Sequence, residues 1–282
     1  MILFDYKSSE LFLNKKSYKL SSVIGEDNFY FGLFELPQGT LKQAKFISNL
    51  PKNFYLYGDL FASILDRENL LNNYINEASF SIQSPSFIIM PDFLAEKMSD
   101  SEIARDISAV GYDDKYKLSR SVLDQFHSVF FFMEPATLVQ KLSEFYTETR
   151  VSHLNSTLIN RGKSINGQFL MLHIYGQTLQ TVFMDHGQLL QSNDYCFQSS
   201  DDVLYYALLS LKNHGLDPGT TKVYYTGMVK DDGPLAELLG KHIRNLQLLD
   251  NKTSASYSNV FLGKQKSYFF SLECLYHEDH QR

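Results

Sequence analysis

His173 lies in the run "FLMLHIYGQT", and an imidazole is the side chain best suited to moving protons near neutral pH. Its neighbours Leu172 and Ile174 are apolar, which suits an inward or edge histidine satisfied by a local hydrogen bond. No orienting carboxylate stands beside it, although Asp185 and His186 could approach across a hairpin. Asp185-His186-Gly187 also has the composition of a turn. A second constellation is "ECLYHEDHQR", where Cys274, His277 and His280 recur every third residue. One helix face could offer all three to a soft divalent metal, but a structural site needs a fourth ligand and no second cluster supplies it. The expectation is a polar, frayed terminus with no metal. Asp201-Asp202 reads as acid at a helix start, where it answers the helix dipole. Phe130, Phe131 and Phe132 read as a strand buried on both faces. No nucleophile elbow, Walker loop, dinucleotide fingerprint or His-Glu-x-x-His helix occurs, so no catalytic residue is assigned.

The elements that would carry these residues repeat. "YKLSSVIGEDNFYFGLFELPQGTLKQAKFIS" holds three β-rich runs split by "GEDN" and "PQG". "GQFLMLHIYGQTLQTVFMDHGQLLQSNDYCF" holds three more, split around "YGQT" and "DHG". Each meander leads to a helical pattern: Leu56, Leu60, Ile64 and Leu65 in the first half, and Val203, Ala207, Leu208 and Leu211 in the second, capped by Ser199 or Ser200. A strand follows in each, "ASFSIQS" and "TKVYYTGM", then an amphipathic segment with an early proline, "MPDFLAEKMS" and "GPLAELLGKHI". This order predicts an internal duplication. "HSVFFFMEPATLVQKLSEFYTETRVSHLNSTL" reads strand, helix, strand and would bridge the halves, and the polar run Asn160 to Gln168 is the candidate linker. The expected domains are residues 1–160 and 161–282.

Composition narrows the function classes. With 282 residues and 44% hydrophobic content the chain can bury real cores. A formal charge of −6 offers no global field for nucleic acid. Two cysteines, Cys196 and Cys274, make no disulfide framework and suit a reducing compartment. The start lacks the basic flank and long apolar core of a secretory signal, and no stretch approaches the ~18 apolar residues of a membrane span. A cytoplasmic protein is expected. Tyr and Phe are abundant, at 18 and 22, which suits strands and, where exposed, a protein interface.

A meander, helix, strand and helix in duplicate resembles the actin-like ATPase fold, whose members include Hsp70, sugar kinases, FtsA and PilM. Through "LSSVIGEDNFYFGLFE", "LLNNYINEASFSIQSPSFIIMPDFL" and "VYYTGM" the chain is similar to a bacterial family of unknown function, mainly from Bacteroidetes, with that fold. The resemblance implies an α/β architecture of two ribonuclease-H-like subdomains, each with a mixed sheet begun by a three-strand meander and flanked by helices. It also implies a nucleotide site. In that fold hairpin N–H groups and hydroxyls hold phosphates, and strand-end aspartates serve Mg²⁺ and the attacking water. Gly176, Gln177 and Thr178 match the second hairpin and Gly227 keeps one glycine of the adenosine-side pattern. His173 replaces the carboxylate, Tyr175 a close-approach glycine, and Val23 the other aspartate. The reading is a vestigial nucleotide site, no resident cofactor, and a non-hydrolytic adaptor with an unidentified protein partner. The alternative is a divergent ATPase or kinase that binds ATP and Mg²⁺ through Glu26, Asp27 or Asp185.

Overall fold

The computed structural model describes residues 2–12, 16–84, 86–107, 115–250 and 256–278. The chain divides into two compact units. One comprises Met1–Ser156, Ser254–Leu262 and Leu275–Arg282; the other comprises Thr157–Thr253 and Gly263–Cys274.

In the first unit β1 (Ile2–Lys7), β2 (Tyr18–Ile24), β3 (Phe29–Glu35) and β4 (Thr40–Ile47) precede α1 (Gly58–Arg67) and β5 (Ile75–Ile82). β2 and β3 are buried at every position, which explains why they read as near-continuous apolar and aromatic runs rather than as alternation. α1 buries Phe61, Ile64 and Leu65. Leu56 and Leu60, expected on that stripe, are only half-buried, and Phe61 takes the inward place.

After β5 the chain leaves this sheet. β6 (Phe87–Pro91), α2 (Asp92–Ala95), α3 (Asp100–Ile107), β7 (Tyr116–Leu123) and β8 (Ser128–Pro135) build a three-stranded antiparallel sheet ordered β6-β8-β7. Its core joins Met90, Ile103, Ala104, Ile107, Phe131 and Met133. All three phenylalanines Phe130, Phe131 and Phe132 are buried, as the run predicts. The chain then returns through α4 (Leu138–Phe145) to β9 (Glu148–His153), which pairs parallel with β5. The first sheet runs β1-β4-β3-β2-β5-β9, with the short strand Ser256–Tyr257 also on β4.

This corrects one expected correspondence. "MPDFLAEKMS" is not the counterpart of "GPLAELLGKHI": Asp92–Ala95 is a four-residue turn of helix belonging to the three-stranded sheet. The helix between the two parallel strands of the first sheet is α4. "HSVFFFMEPATLVQKLSEFYTETRVSH" therefore completes the first unit rather than bridging two halves.

α5 (Leu154–Gly162) follows, so the polar run from Asn160 begins inside a helix. The second sheet forms from β10 (Gln168–Tyr175), β11 (Thr178–Asp185), β12 (Gln188–Cys196), β13 (Lys222–Gly227) and β14 (Leu246–Leu248), ordered β12-β11-β10-β13-β14. This repeats the order β4-β3-β2-β5-β9, antiparallel through the meander and parallel beyond it.

α6 (Ser200–Asn213) joins β12 to β13, and its ends are written in the sequence. The Ser199 hydroxyl accepts from Asp202 N–H, while the Asp202 carboxylate accepts from Ser199 N–H, closing a capping box. At the other end Gly215 takes φ 66°, its N–H donates to the Lys212 carbonyl, and Leu216 N–H donates to that of Leu211, a Schellman stop. Between them Val203, Ala207 and Leu211 pack on Leu170, Leu172, Ile174 and Val223. α7 (Pro234–His242) opens with proline at its first position and buries Ala236 and Leu239. Beyond β15 (Ser256–Tyr257) the last helix among the described residues is α8 (Phe270–Glu278). Near its end Tyr276 stacks on Phe34 with centroids 4.6 Å apart, and its carbonyl accepts from Lys19 Nζ at 3.1 Å. No helix among the described residues is long and apolar enough to cross a membrane.

Candidate functional site

The hairpin of β10 and β11 closes with Tyr175 opposite Thr178, leaving Gly176 and Gln177 as a two-residue loop. Gly176 has φ 58° while Gln177 is not left-handed, the signature of the primed turn that begins with glycine. The opposite end of β11 uses another tight turn, with His186 and Gly187 both left-handed at φ 47° and 84°. Asp185 thus sits far down the hairpin, opposite Gln168, with its carboxylate 2.7 Å from His186 Nδ1. Its approach to His173 is excluded by the register, because His173 faces Gln180.

That pairing defines the site. His173 Nδ1 and Gln180 Oε1 are 2.8 Å apart, and both side chains are buried. The ring lies 6.2 Å from that of Phe270. Burial pushes the imidazole pKa down to about 4, against the Gln180 hydrogen bond that favours the charged form, so the ring is neutral at neutral pH. The neutral ring then donates from Nδ1 to the Gln180 carbonyl oxygen. Gln180 Nε2 has no partner among the described residues. Tyr175 is buried, while Thr178 is half-buried. Gln180 was not singled out in the sequence; the two-residue loop Gly176-Gln177, seen only in the structure, is what sets it opposite His173.

Gly227 ends β13 opposite Ile174 with φ 90°. A Cβ there would stand 2.2 Å from the Ile174 carbonyl oxygen, which also accepts from Met228 N–H at 2.7 Å. The glycine is thus required by close approach of its own sheet. Beside it Thr226 is buried and donates to the Leu249 carbonyl. Gly176, Gln177 and Thr178 form one loop; Gly227 belongs to the neighbouring strand end, paired with Ile174 of the same β10.

In the first unit the hairpin of β2 and β3 has a four-residue loop, Gly25 to Asn28, closed by Gly25 N–H on the Asn28 carbonyl. Val23 is fully buried, opposite Tyr30. Glu26 is exposed and pairs with Lys52 at 3.1 Å; Asp27 accepts from Asn28 Nδ2 at 3.1 Å. The carboxylates of this hairpin therefore sit on the loop, whereas the strand position holds an aliphatic side chain. Near the C-terminus Cys274 is buried and His277 half-buried. His280 lies outside the described residues, and no metal-ligating group of three forms among those described.

A second histidine that the sequence did not single out, His153, ends β9 in a box of Phe87, Phe130 and Phe132 with centroids 5.0, 5.0 and 5.6 Å away. Its Nδ1 accepts from Asn155 N–H at 3.1 Å and its Nε2 donates to the Ser84 carbonyl at 2.7 Å, which fixes the neutral tautomer. Burial lowers its pKa to about 4.

Comparison with known proteins bears on this geometry. No curated protein matches the chain in sequence. A solved Bacteroides thetaiotaomicron protein with actin-like ATPase fold and unknown function superposes with a TM-score of 0.68 at 18% identity, covering 85% of this chain and 93% of that one. PilM–PilN, a type IV pilus biogenesis complex, gives 0.60 at 14% identity, covering 94% and 99%. The fold is that of the actin-like ATPases. Residues 8–246 match the model of the family described as "Protein of unknown function (DUF3822)", and the chain belongs to that family.

Proposed function

We propose that the protein is a non-hydrolytic actin-like adaptor or protein-interaction module with a degenerate nucleotide site. The observation that carries this reading is His173. At the strand position where the actin-like ATPases place an aspartate, it is a buried, neutral imidazole already bonded to Gln180. A neutral donor cannot stand in for a carboxylate that holds hydrated Mg²⁺ or orients water. Val23 in the other hairpin, fully buried, supports the same reading. Gly176, Gln177 and Thr178 are then the outline of a phosphate clamp without its acidic groups, Gly227 is what remains of the adenosine side, and no cofactor is resident.

The repeated strand order supports an internal duplication into two ribonuclease-H-like subdomains that part near residue 160, with residues 254–262 and 275–282 returning to the first. The neighbour PilM is solved with PilN, which supports recruitment of a protein partner by analogy of fold alone. The net negative charge argues against nucleic acid, and the two free cysteines suit a bacterial cytoplasm. Calorimetric titration with ATP and ADP, with and without Mg²⁺, on tag-free protein tests the proposal. No heat of binding at millimolar nucleotide is expected. Micromolar, Mg²⁺-dependent binding would overturn it in favour of a divergent ATPase or kinase that uses the loop carboxylates Glu26 and Asp27.

A further inference from the structure

Two strands share one edge of β4 and stop short of each other. β1 runs antiparallel along it and ends with Lys7 opposite Gln43, and β15 runs parallel with Ser256 and Tyr257 opposite Thr40 and Leu41. Both strands finish toward Lys42, whose carbonyl accepts from Ser8 N–H, while Ser258 N–H goes to the Leu41 carbonyl. The gap between the strand ends is a notch of about 540 Å³, and hydroxyls of Ser9, Thr40, Ser256 and Ser258 line it together with Lys7 and Lys42.

Its charge is unbalanced toward the positive. Lys42 stands 3.5 Å from both Glu10 and Glu35, and Glu35 is also held by Lys16 at 2.7 Å. Lys7 is exposed and makes no ion pair among the described residues. Within the notch Lys7 and Lys42 thus face one carboxylate, that of Glu10, which is 68% exposed and reaches Lys42 only at long range. The Ser258 hydroxyl is shielded from solvent with no hydrogen-bond partner among the described residues. Lysine point charges flanked by hydroxyl donors are suited to an anion with several oxygens.

We propose that this notch binds a small oxyanion of the phosphate or sulfate type. The site is separate from the hairpin of the preceding section and does not depend on its reading. Lys7 supplies the uncommitted charge, Lys42 exchanges its long contact with Glu10 for the anion, and Ser9 and Ser258 donate to the remaining oxygens together with whichever of the mutually hydrogen-bonded Thr40 and Ser256 hydroxyls keeps its proton free.

The experiment is a titration of the full chain with sodium phosphate and with sodium sulfate against sodium chloride at matched ionic strength, followed by amide NMR shifts. Saturable shifts confined to residues around Lys7, Thr40 and Ser256 are expected for both oxyanions and not for chloride. Lys7→Glu should weaken binding about tenfold or more, and Glu10→Gln should strengthen it, because it removes the competing carboxylate. Both side chains are exposed, so neither variant threatens the fold. A glycerol phosphate arm separates the sources: tighter binding than inorganic phosphate marks the anion as the head of a phosphate ester. Absence of saturable shifts, or binding that neither variant changes, overturns the proposal.

Discussion

Acid should unfold this protein through two histidines before most carboxylates are protonated. His153 and His173 are buried and neutral, with pKa values lowered from 6.5 to about 4 by burial. Below pH 6.5 the unfolded chain takes up a proton on each ring that the folded chain refuses until about pH 4, so stability falls as pH drops through that window and returns as pH rises. At about pH 4.5 the difference amounts to roughly 2.5 kcal/mol per ring, against almost nothing at about pH 7.5. For a protein whose whole stability is of order 5–15 kcal/mol, two such rings matter. Urea unfolding should be followed across this range for the wild type, His153→Gln and His173→Gln. Each variant should lose up to about 1.4 kcal/mol per pH unit of the wild-type slope. Imidazole NMR of the wild type supplies a check that does not require the variants to fold: two rings should show no titration between about pH 7.5 and 5. Equal slopes in all three proteins, or eight rings titrating near pH 6.5, would refute the reasoning.

Other perturbations test the framework around the site. Gly227→Ala forces a methyl to 2.2 Å from the Ile174 carbonyl at a left-handed backbone position. It should cost about 3 kcal/mol in urea unfolding, and a cost below about 1 kcal/mol would show that the close approach is not required. Ser199→Ala opens the capping box of α6 and should cost about 1 kcal/mol by the same measurement.

The meanders, α6 and α7 were legible because their signals are local: a glycine turn, a serine with an acid three residues on, a proline before an apolar stripe. The insertion of β6 through β8 was not. Its strand, helix and strand have the same ingredients as the elements they interrupt, and only the parallel pairing of β5 with β9 shows that α4 resumes the original sheet. The second unit passes from β13 to α7 through residues 228–233 alone. At the candidate site, the residue types at Gly176, Thr178 and Gly227 were visible, but what His173 does was not. Its partner depends on register, and register depends on a loop length that the string "YGQT" leaves open by one residue either way. The reason for Gly227 was equally hidden, since it lies in a neighbouring strand's carbonyl rather than in any ligand.

The three-segment make-up of the first unit has a consequence for synthesis on the ribosome. Within this chain the first unit begins before the second and is finished after it, because Tyr276 arrives only once the entire second unit has been made. Until then Phe34 lacks the ring that stacks on it, and Lys19 lacks the carbonyl that receives its ammonium. β2 and β3, both buried at every position, therefore gain their last contacts only with the closing turn of α8.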